Sequence, residues 1–137
     1  MITRNQRKHI AEAAQYRCGY CLIQEDVSGI PLTIEHILPK ARGGQDDEEN
    51  LWLSCRLCNE KKRMLIEAVD LETGKSVPLF NPRLQTWSEH FAWREGGTHI
   101  SGKTAIGRAT VEALSLNSEL RIRSRAIWVK AGFHPPD

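Results

Sequence analysis

Two cysteine pairs constrain the fold of this chain more than any other feature. Cys18 and Cys21 form one pair, Cys55 and Cys58 form the other, and 33 residues separate the two pairs. A two-residue spacer lets one turn present two thiolates to the same ion, and two such turns complete a tetrahedral shell with no open position. The chain has no other cysteine. The pattern predicts a structural zinc site; iron in the same shell and redox-active thiols are the alternatives.

Length and composition favour one globular domain. A chain of 137 residues with 40% hydrophobic content can bury one modest core, and it contains no apolar run long enough to cross a membrane. The first residues lack the apolar segment of a signal peptide. We therefore expect a single domain over residues 1–137 in the cytoplasm, where cysteine pairs bind metal more often than they form disulfides.

The segment between and after the cysteine pairs predicts a ββα unit. Residues 31–37 are rich in β-formers, residues 40–49 are polar with an acidic run, and residues 51–53 are apolar. A helix is predicted over residues 56–66. The expected core, residues 18–66, is thus two strands and a helix tied at the base by the cysteines, and the fold class is α+β.

The remaining segments are predicted to support this core. Thr3 is expected to cap a helix over residues 4–15, and residues 67–86 are expected to be irregular. A hairpin over residues 90–101 is followed by two helices, capped by Thr104 and Asn117. These elements form a C-terminal extension over residues 78–131. The apolar stripe of the last helix is expected to consist of Leu120, Ile127 and Ala131.

Glu35 and His36 are the candidates for chemistry between the cysteine pairs. A neutral imidazole can take a proton from water near pH 7, and a carboxylate suits a hard divalent cation. Neighbouring residues on a strand, however, point to opposite faces. The residues alone therefore leave open whether Glu35 and His36 serve one reaction.

The joint pattern resembles the HNH endonuclease family in its zinc-stapled form. The matching residues are Cys18, Cys21, Glu35, His36, Ile37, Pro39, Gly43, Gly44, Asn50, Leu51, Cys55, Cys58, Asn59 and Lys62. They lie within residues 18–62, roughly a third of the chain. The resemblance implies a ββα-metal (His-Me finger) fold with a four-cysteine zinc clasp, and a metal-dependent endonuclease activity.

The resemblance also implies a role for each residue of the site. His36 would be the general base that activates water, and Asn50 would brace the loop that orients His36. Glu35 and Asn59 would bind one catalytic Mg²⁺ or Mn²⁺, and Lys62 would lie near the scissile phosphate. Two positions depart from the common pattern, since the family more often has Asp in place of Glu35 and His in place of Asn59.

The resemblance leads us to expect double-stranded DNA as the substrate, and the charge distribution permits binding to a polyanion. The net charge is only +2, but basic residues concentrate at both ends of the chain and in a cluster over residues 56–63. No recognition helix is evident, so a separate protein partner for targeting is expected. The alternatives are a zinc-stabilised nucleic-acid-binding module without catalysis and a nuclease that cleaves RNA.

Overall fold

The backbone divides into two units in the computed structural model, which describes residues 1–136. Unit 1 comprises Met1–Ile66 and Asn81–Leu84, and unit 2 comprises Glu67–Phe80 and the chain from Gln85 onward. Both contain helices and short antiparallel strand pairs, which confirms the predicted α+β class. The single domain over residues 1–137 remains a prediction. None of the described helices combines the length and apolar character that crossing a bilayer requires.

Unit 1 contains the predicted ββα arrangement. Its regular elements are α1 (Arg4–Ala13), α2 (Glu25–Ser28), β1 (Thr33–His36), β2 (Leu51–Ser54) and α3 (Arg56–Lys62). Strands β1 and β2 pair antiparallel, with Glu35 opposite Trp52 and His36 opposite Leu51, and α3 follows β2 directly. Helix α3 ends before the predicted residue 66 because Arg63 adopts a positive φ of 49°.

Helix α1 begins where the sequence predicts. The Thr3 hydroxyl accepts a hydrogen bond from the Gln6 backbone N–H, and the Gln6 side chain accepts one from the Thr3 N–H. This capping box satisfies two N–H groups that a helix start leaves free. The buried Ile10 and Ala14 form the inner face of this segment.

Over the residues that the structure describes, unit 2 contains two hairpins, three α-helices and a short 3-10 helix (Glu95–Gly97). Its elements are β3 (Glu67–Val69), β4 (Ser76–Pro78), α4 (Trp87–His90), β5 (Phe91–Arg94), β6 (His99–Gly102), α5 (Ala105–Ala113) and α6 (Glu119–Lys130). The β5–β6 pair confirms the predicted hairpin, and Thr104 caps α5 as expected by accepting from the Gly107 N–H. A Cβ on Gly107 would lie 2.0 Å from the His90 carbonyl oxygen, so only glycine lets α5 approach so closely.

The predicted irregular structure over residues 67–86 is wrong for its first part, since β3 and β4 pair as a hairpin there. Both strands are short and mostly exposed, so no apolar alternation marks them in the sequence. The buried Asp70 carboxylate stabilises the turn by accepting hydrogen bonds from the Glu72 N–H and the Thr73 hydroxyl. Arg108 donates two further hydrogen bonds, each of 3.0 Å, to the same carboxylate. A polar residue, and not an apolar pattern, therefore organises this hairpin.

The predicted inner face of the last helix is also wrong. Leu120 and Ile127 are 58% and 68% exposed, whereas Arg121 and Arg125 are buried. Arg125 donates hydrogen bonds to the carbonyl oxygens of Thr98 and Leu116, which satisfies its charged group inside unit 2.

Asn117 does not cap this last helix, because the N-cap of α6 is Ser118. The Asn117 amide instead pairs with both backbone polar groups of Ile100 in β6, at 2.8 and 2.7 Å. The side chain thus joins the segment before α6 to the β5–β6 hairpin, where it forms the same two bonds that a neighbouring strand residue would form.

His134 is buried between two tryptophan rings of unit 2. Its ring centroid lies 4.6 Å from that of Trp93 and 5.9 Å from that of Trp128. Burial, with a smaller contribution from the Arg125 charge, lowers the pKa of His134 to about 4. The ring is therefore neutral at pH 7.

We expect the stability of unit 2 to fall as the solution is acidified. The pKa of His134 is lower in the folded chain than its ordinary value of 6.5, so the unfolded chain binds the proton more readily. The stability is then fully present above pH 6.5 and decreases as the pH falls towards 4, by roughly 1–3 kcal/mol for this group. Guanidinium unfolding over this pH range should show a smaller decrease for His134→Phe than for the wild type. Equal pH dependence in the two proteins would contradict this assignment.

Candidate active site and metal clasp

The four cysteines meet in one cluster within unit 1. Their sulfur atoms all lie within 4.8 Å of one another, and Cys21 Sγ lies 3.7 Å from Cys55 Sγ. A tetrahedral zinc ion with Zn–S bonds of about 2.3 Å would hold its sulfur atoms about 3.8 Å apart. No disulfide forms among them. The residues present therefore fit one zinc ion in a closed shell, as the spacing predicts.

The surroundings of the sulfur atoms favour a bound cation. Cys18 and Cys58 are fully buried, and burial raises the pKa of both thiols. Zinc binds the thiolate form, so the ion must supply the positive charge that the interior does not. Cys55 also caps α3, since its Sγ accepts from the Cys58 N–H at 3.4 Å. The clasp therefore fixes where α3 begins.

A buried polar group lies between the clasp and the hairpin. Glu35, only 2% exposed, is paired with Lys62 of α3, whose Nζ lies 3.1 Å from Oε1. The hydroxyl of Tyr20, a spacer residue of the first cysteine pair, lies beside the same carboxylate. Burial raises the pKa of Glu35, whereas the Lys62 ammonium and the Tyr20 hydroxyl oppose this rise. One carboxylate thus connects β1, α3 and the metal clasp.

His36 points to the other face of β1 and binds a carboxylate. Its Nε2 lies 2.7 Å from Oδ1 of Asp46, and the side chain is 19% exposed. The hydrogen bond from His36, with smaller contributions from the amino terminus and Lys40, lowers the pKa of Asp46 to about 2. Asp46 is therefore an acceptor at neutral pH, and Nε2 of His36 carries the proton of this bond. In a neutral imidazole with this tautomer, Nδ1 holds the lone pair that can accept a proton from water.

The loop that carries Asp46 is closed by the side chain of Asn50. Its Oδ1 accepts from the Leu38 N–H at 2.7 Å, and its Nδ2 donates to the carbonyl oxygens of Leu38 and Gln45, each at 3.0 Å. Gly44 packs against the same place, since a Cβ there would lie 1.7 Å from the Leu38 carbonyl oxygen. The loop is therefore a packed turn that brings Asp46 back to His36.

Removing the Asn50 side chain should loosen this loop without removing the metal. Asn50→Ala loses three hydrogen bonds, and we expect the free energy of unfolding to fall by about 1–3 kcal/mol. The zinc content should stay at the wild-type value because the cysteines are untouched. Denaturant unfolding and metal analysis would measure both, with Asn5→Ala on the exposed face of α1 as the control. An unchanged free energy of unfolding would contradict the bracing role.

The remaining candidates lie on β1 and α3. Asn59 is exposed on α3, whereas Glu35 of β1 is buried and paired with Lys62. The Lys62 side chain is only 3% exposed, and its ammonium is directed into unit 1, towards Glu35. In this arrangement it does not reach a phosphate at the surface.

Asp46 is the one residue of this site that the sequence analysis missed. The acidic run over residues 46–49 reads as a solvated loop, because four neighbouring carboxylates usually face water. Two sequence features could have indicated the contact between Asp46 and His36. Asp46 lies ten residues after His36, and the turn at Gly43 and Gly44 between them returns the chain towards the start of the loop.

Comparison with known proteins finds one family whose model matches the segment that contains this site. The model of the HNH endonuclease family matches residues 18–64, roughly a third of the chain. No curated protein and no solved structure matches the chain. The matched segment contains both cysteine pairs, the β1–β2 hairpin and α3, and the family implies a nuclease-type function with a metal site and a nucleic-acid substrate. Residues 18–64 therefore match the HNH endonuclease family model, and this segment contains all four cysteines of the cluster.

Proposed function

We propose that this protein is a metal-dependent endonuclease that hydrolyses phosphodiester bonds of double-stranded DNA, with His36 as its general base. The observation that carries the proposal is the 2.7 Å contact between His36 and Asp46 on a ββα unit matched by the HNH family. An imidazole held by a carboxylate in one tautomer is well arranged to take a proton from water.

Side chains of this protein supply two functions that the reaction needs, which are proton abstraction from water and neutralisation of phosphate charge. Nδ1 of His36 takes the proton of the attacking water, and the Asp46 carboxylate stabilises the imidazolium that results. Asn50 keeps Asp46 in reach through the hydrogen bonds that close the loop. The exposed Arg63, directly after α3, is available to neutralise a phosphate of the substrate.

A hard divalent cation, Mg²⁺ or Mn²⁺, completes the proposal, with Glu35 and Asn59 as its ligands. Their carboxylate and amide oxygens are the donors such an ion prefers, and Glu35 already holds a positive charge, the Lys62 ammonium. When bound, the cation would supply Lewis-acid stabilisation of charge on the phosphate and the leaving oxygen. Binding at Glu35 requires the ion to share or displace the ammonium of Lys62.

The test is cleavage of supercoiled plasmid by the zinc-loaded protein. We expect nicked and then linear DNA with Mg²⁺ or Mn²⁺, and intact plasmid with EDTA. Single-stranded and double-stranded RNA of matched length serve as parallel substrates and should remain intact.

Two results would replace the proposal. Tight DNA binding without cleavage over the whole metal series would identify a zinc-stabilised binding module. Faster cleavage of RNA would identify an RNA-directed nuclease. The cytoplasmic location and the targeting partner predicted from the sequence remain predictions.

A further inference from the structure

Lys62 is buried to an extent that is rare for lysine. It is the last residue of α3, and its side chain is 3% exposed, while the preceding Lys61 is exposed. Lysine is almost never fully buried unless its charge is paired, so this position needs a specific reason.

Every donor of the Lys62 ammonium has an acceptor within unit 1. Nζ lies 3.1 Å from Oε1 of Glu35, 3.2 Å from the carbonyl oxygen of His36 and 3.0 Å from the carbonyl oxygen of Ile37. An ammonium group has three N–H donors, so these contacts use all of them. Lys62 therefore has no donor left for a substrate phosphate in this arrangement.

Two of these contacts hold the backbone of the proposed general base and its neighbour. The carbonyl groups of His36 and Ile37 lie where the chain leaves β1, and the Ile37 N–H donates to the Asn50 carbonyl oxygen at 2.8 Å. The end of the strand is thus fixed from α3 by Lys62 and from the other side by the backbone of Asn50, directly before β2. The position of the His36 backbone determines where its imidazole ring can lie. By holding the His36 carbonyl group, Lys62 therefore affects the distance between the ring and Asp46.

We propose that Lys62 is a positioning residue of the nuclease, whose ammonium fixes the end of β1 so that the His36 ring meets Asp46. This inference rests on the proposed function for its effect on cleavage, although the geometry itself does not depend on cleavage. It replaces the phosphate contact that the sequence predicts for Lys62.

The kinetic test compares Lys62→Met with Lys61→Met, which removes the same charge one residue earlier at an exposed position. Plasmid nicking is normalised to zinc-loaded protein. We expect Lys62→Met to lower kcat by about 100-fold, because a displacement of about 1 Å at a reacting group can have that effect. KM and the salt dependence of DNA binding should stay at the wild-type values, and Lys61→Met should keep the wild-type kcat. An unchanged kcat with a raised KM and a weaker salt dependence would instead identify a phosphate contact and overturn the inference.

A second measurement decides the inference even if the wild type does not cleave DNA. In zinc-loaded protein without Mg²⁺ or Mn²⁺, the His36 ring N–H bonded to Asp46 should give a slowly exchanging ¹H–¹⁵N signal, identified by its loss in His36→Ala. Lys62→Met should lose this signal and Lys61→Met should keep it. If Lys62→Met fails to hold zinc, Glu35→Gln/Lys62→Met removes the unpaired buried carboxylate and takes its place. Retention of the ring signal in whichever variant folds would overturn the inference.

Discussion

Replacing His36 by alanine is expected to lower the rate of plasmid nicking by about 10²–10⁴-fold, the usual contribution of a positioned general base. The variant loses the imidazole that Asp46 holds at 2.7 Å, and no other described histidine contacts Asp46. Binding of DNA should stay near the wild-type affinity because His36 acts on water and not on the phosphate charge. Single-turnover nicking with Mg²⁺ or Mn²⁺ and binding to a labelled duplex with Ca²⁺ would measure the two effects separately.

His9→Ala is the matched control for this experiment. His9 belongs to the same unit and also contacts a carboxylate, since its Nδ1 lies 2.6 Å from Oε1 of Glu48, but its side chain is 69% exposed. The same chemical change at this position should leave the nicking rate unchanged. Wild-type activity in His36→Ala, or an equal loss in the two variants, would remove His36 from the reaction.

Loss of one zinc ligand is expected to have the largest effect on stability. Cys58 is fully buried and lies in α3, close to the cap that Cys55 forms. Serine at this position cannot supply a thiolate, so Cys58→Ser should leave an open, weak metal site. Zinc binding in small zinc domains provides about 10–16 kcal/mol, and a folded domain has only about 5–15 kcal/mol of stability in total. We expect unit 1 of this variant to be unfolded at 25 °C.

The measurement needs a signal that belongs to unit 1. Trp52 is the one tryptophan outside residues 78–128, and its indole N–H in a ¹H–¹⁵N spectrum reports on the β1–β2 hairpin. Cys58→Ser, or the wild type with a strong chelator, should lose the dispersed Trp52 signal together with one equivalent of zinc. Leu57→Ser changes an exposed spacer residue of the same cysteine pair and should keep both. A dispersed Trp52 signal in zinc-free protein would show that the clasp is dispensable.

Tyr20 connects the four-cysteine clasp to the buried Glu35–Lys62 pair, which lies below the proposed general base His36. Tyr20 is held between Cys18 and Cys21, and its hydroxyl lies beside Glu35, which in turn holds Lys62 under the end of β1. A loose clasp would therefore disturb His36 indirectly, through the buried carboxylate. Kinetic comparisons between variants must for this reason be made at equal zinc content.

Arg83 and Arg108 bind groups of the protein itself. Arg83 donates to the Leu51 carbonyl oxygen at 3.2 Å and lies over the Trp52 ring, 5.1 Å from its centroid. Arg108 is paired with Asp70. Long cationic side chains bury their stems and find carbonyl or carboxylate oxygens wherever the fold offers them. Residue type alone could not separate these positions from exposed cations such as Lys61.

The sequence by itself determined the elements whose signals are local. The cysteine spacing predicts the metal clasp because two residues between thiolates define a turn, and Thr3 and Thr104 predict helix starts because their hydroxyls replace missing backbone partners. The apolar stretch before Pro39 and the one after the acidic loop predict the two strands of the ββα unit. Each of these signals involves residues that are close along the chain.

Only the tertiary structure decided which polar side chains meet. Lys61 and Lys62 are neighbouring residues of the same type, yet Lys61 is exposed, whereas Lys62 contacts Glu35 and the carbonyl oxygens of His36 and Ile37. Asp46 reaches His36 only because a packed turn returns the loop to the hairpin. A charged side chain can be buried only where distant segments of the chain supply hydrogen-bond acceptors. The amino-acid sequence alone does not show where those acceptors lie in space.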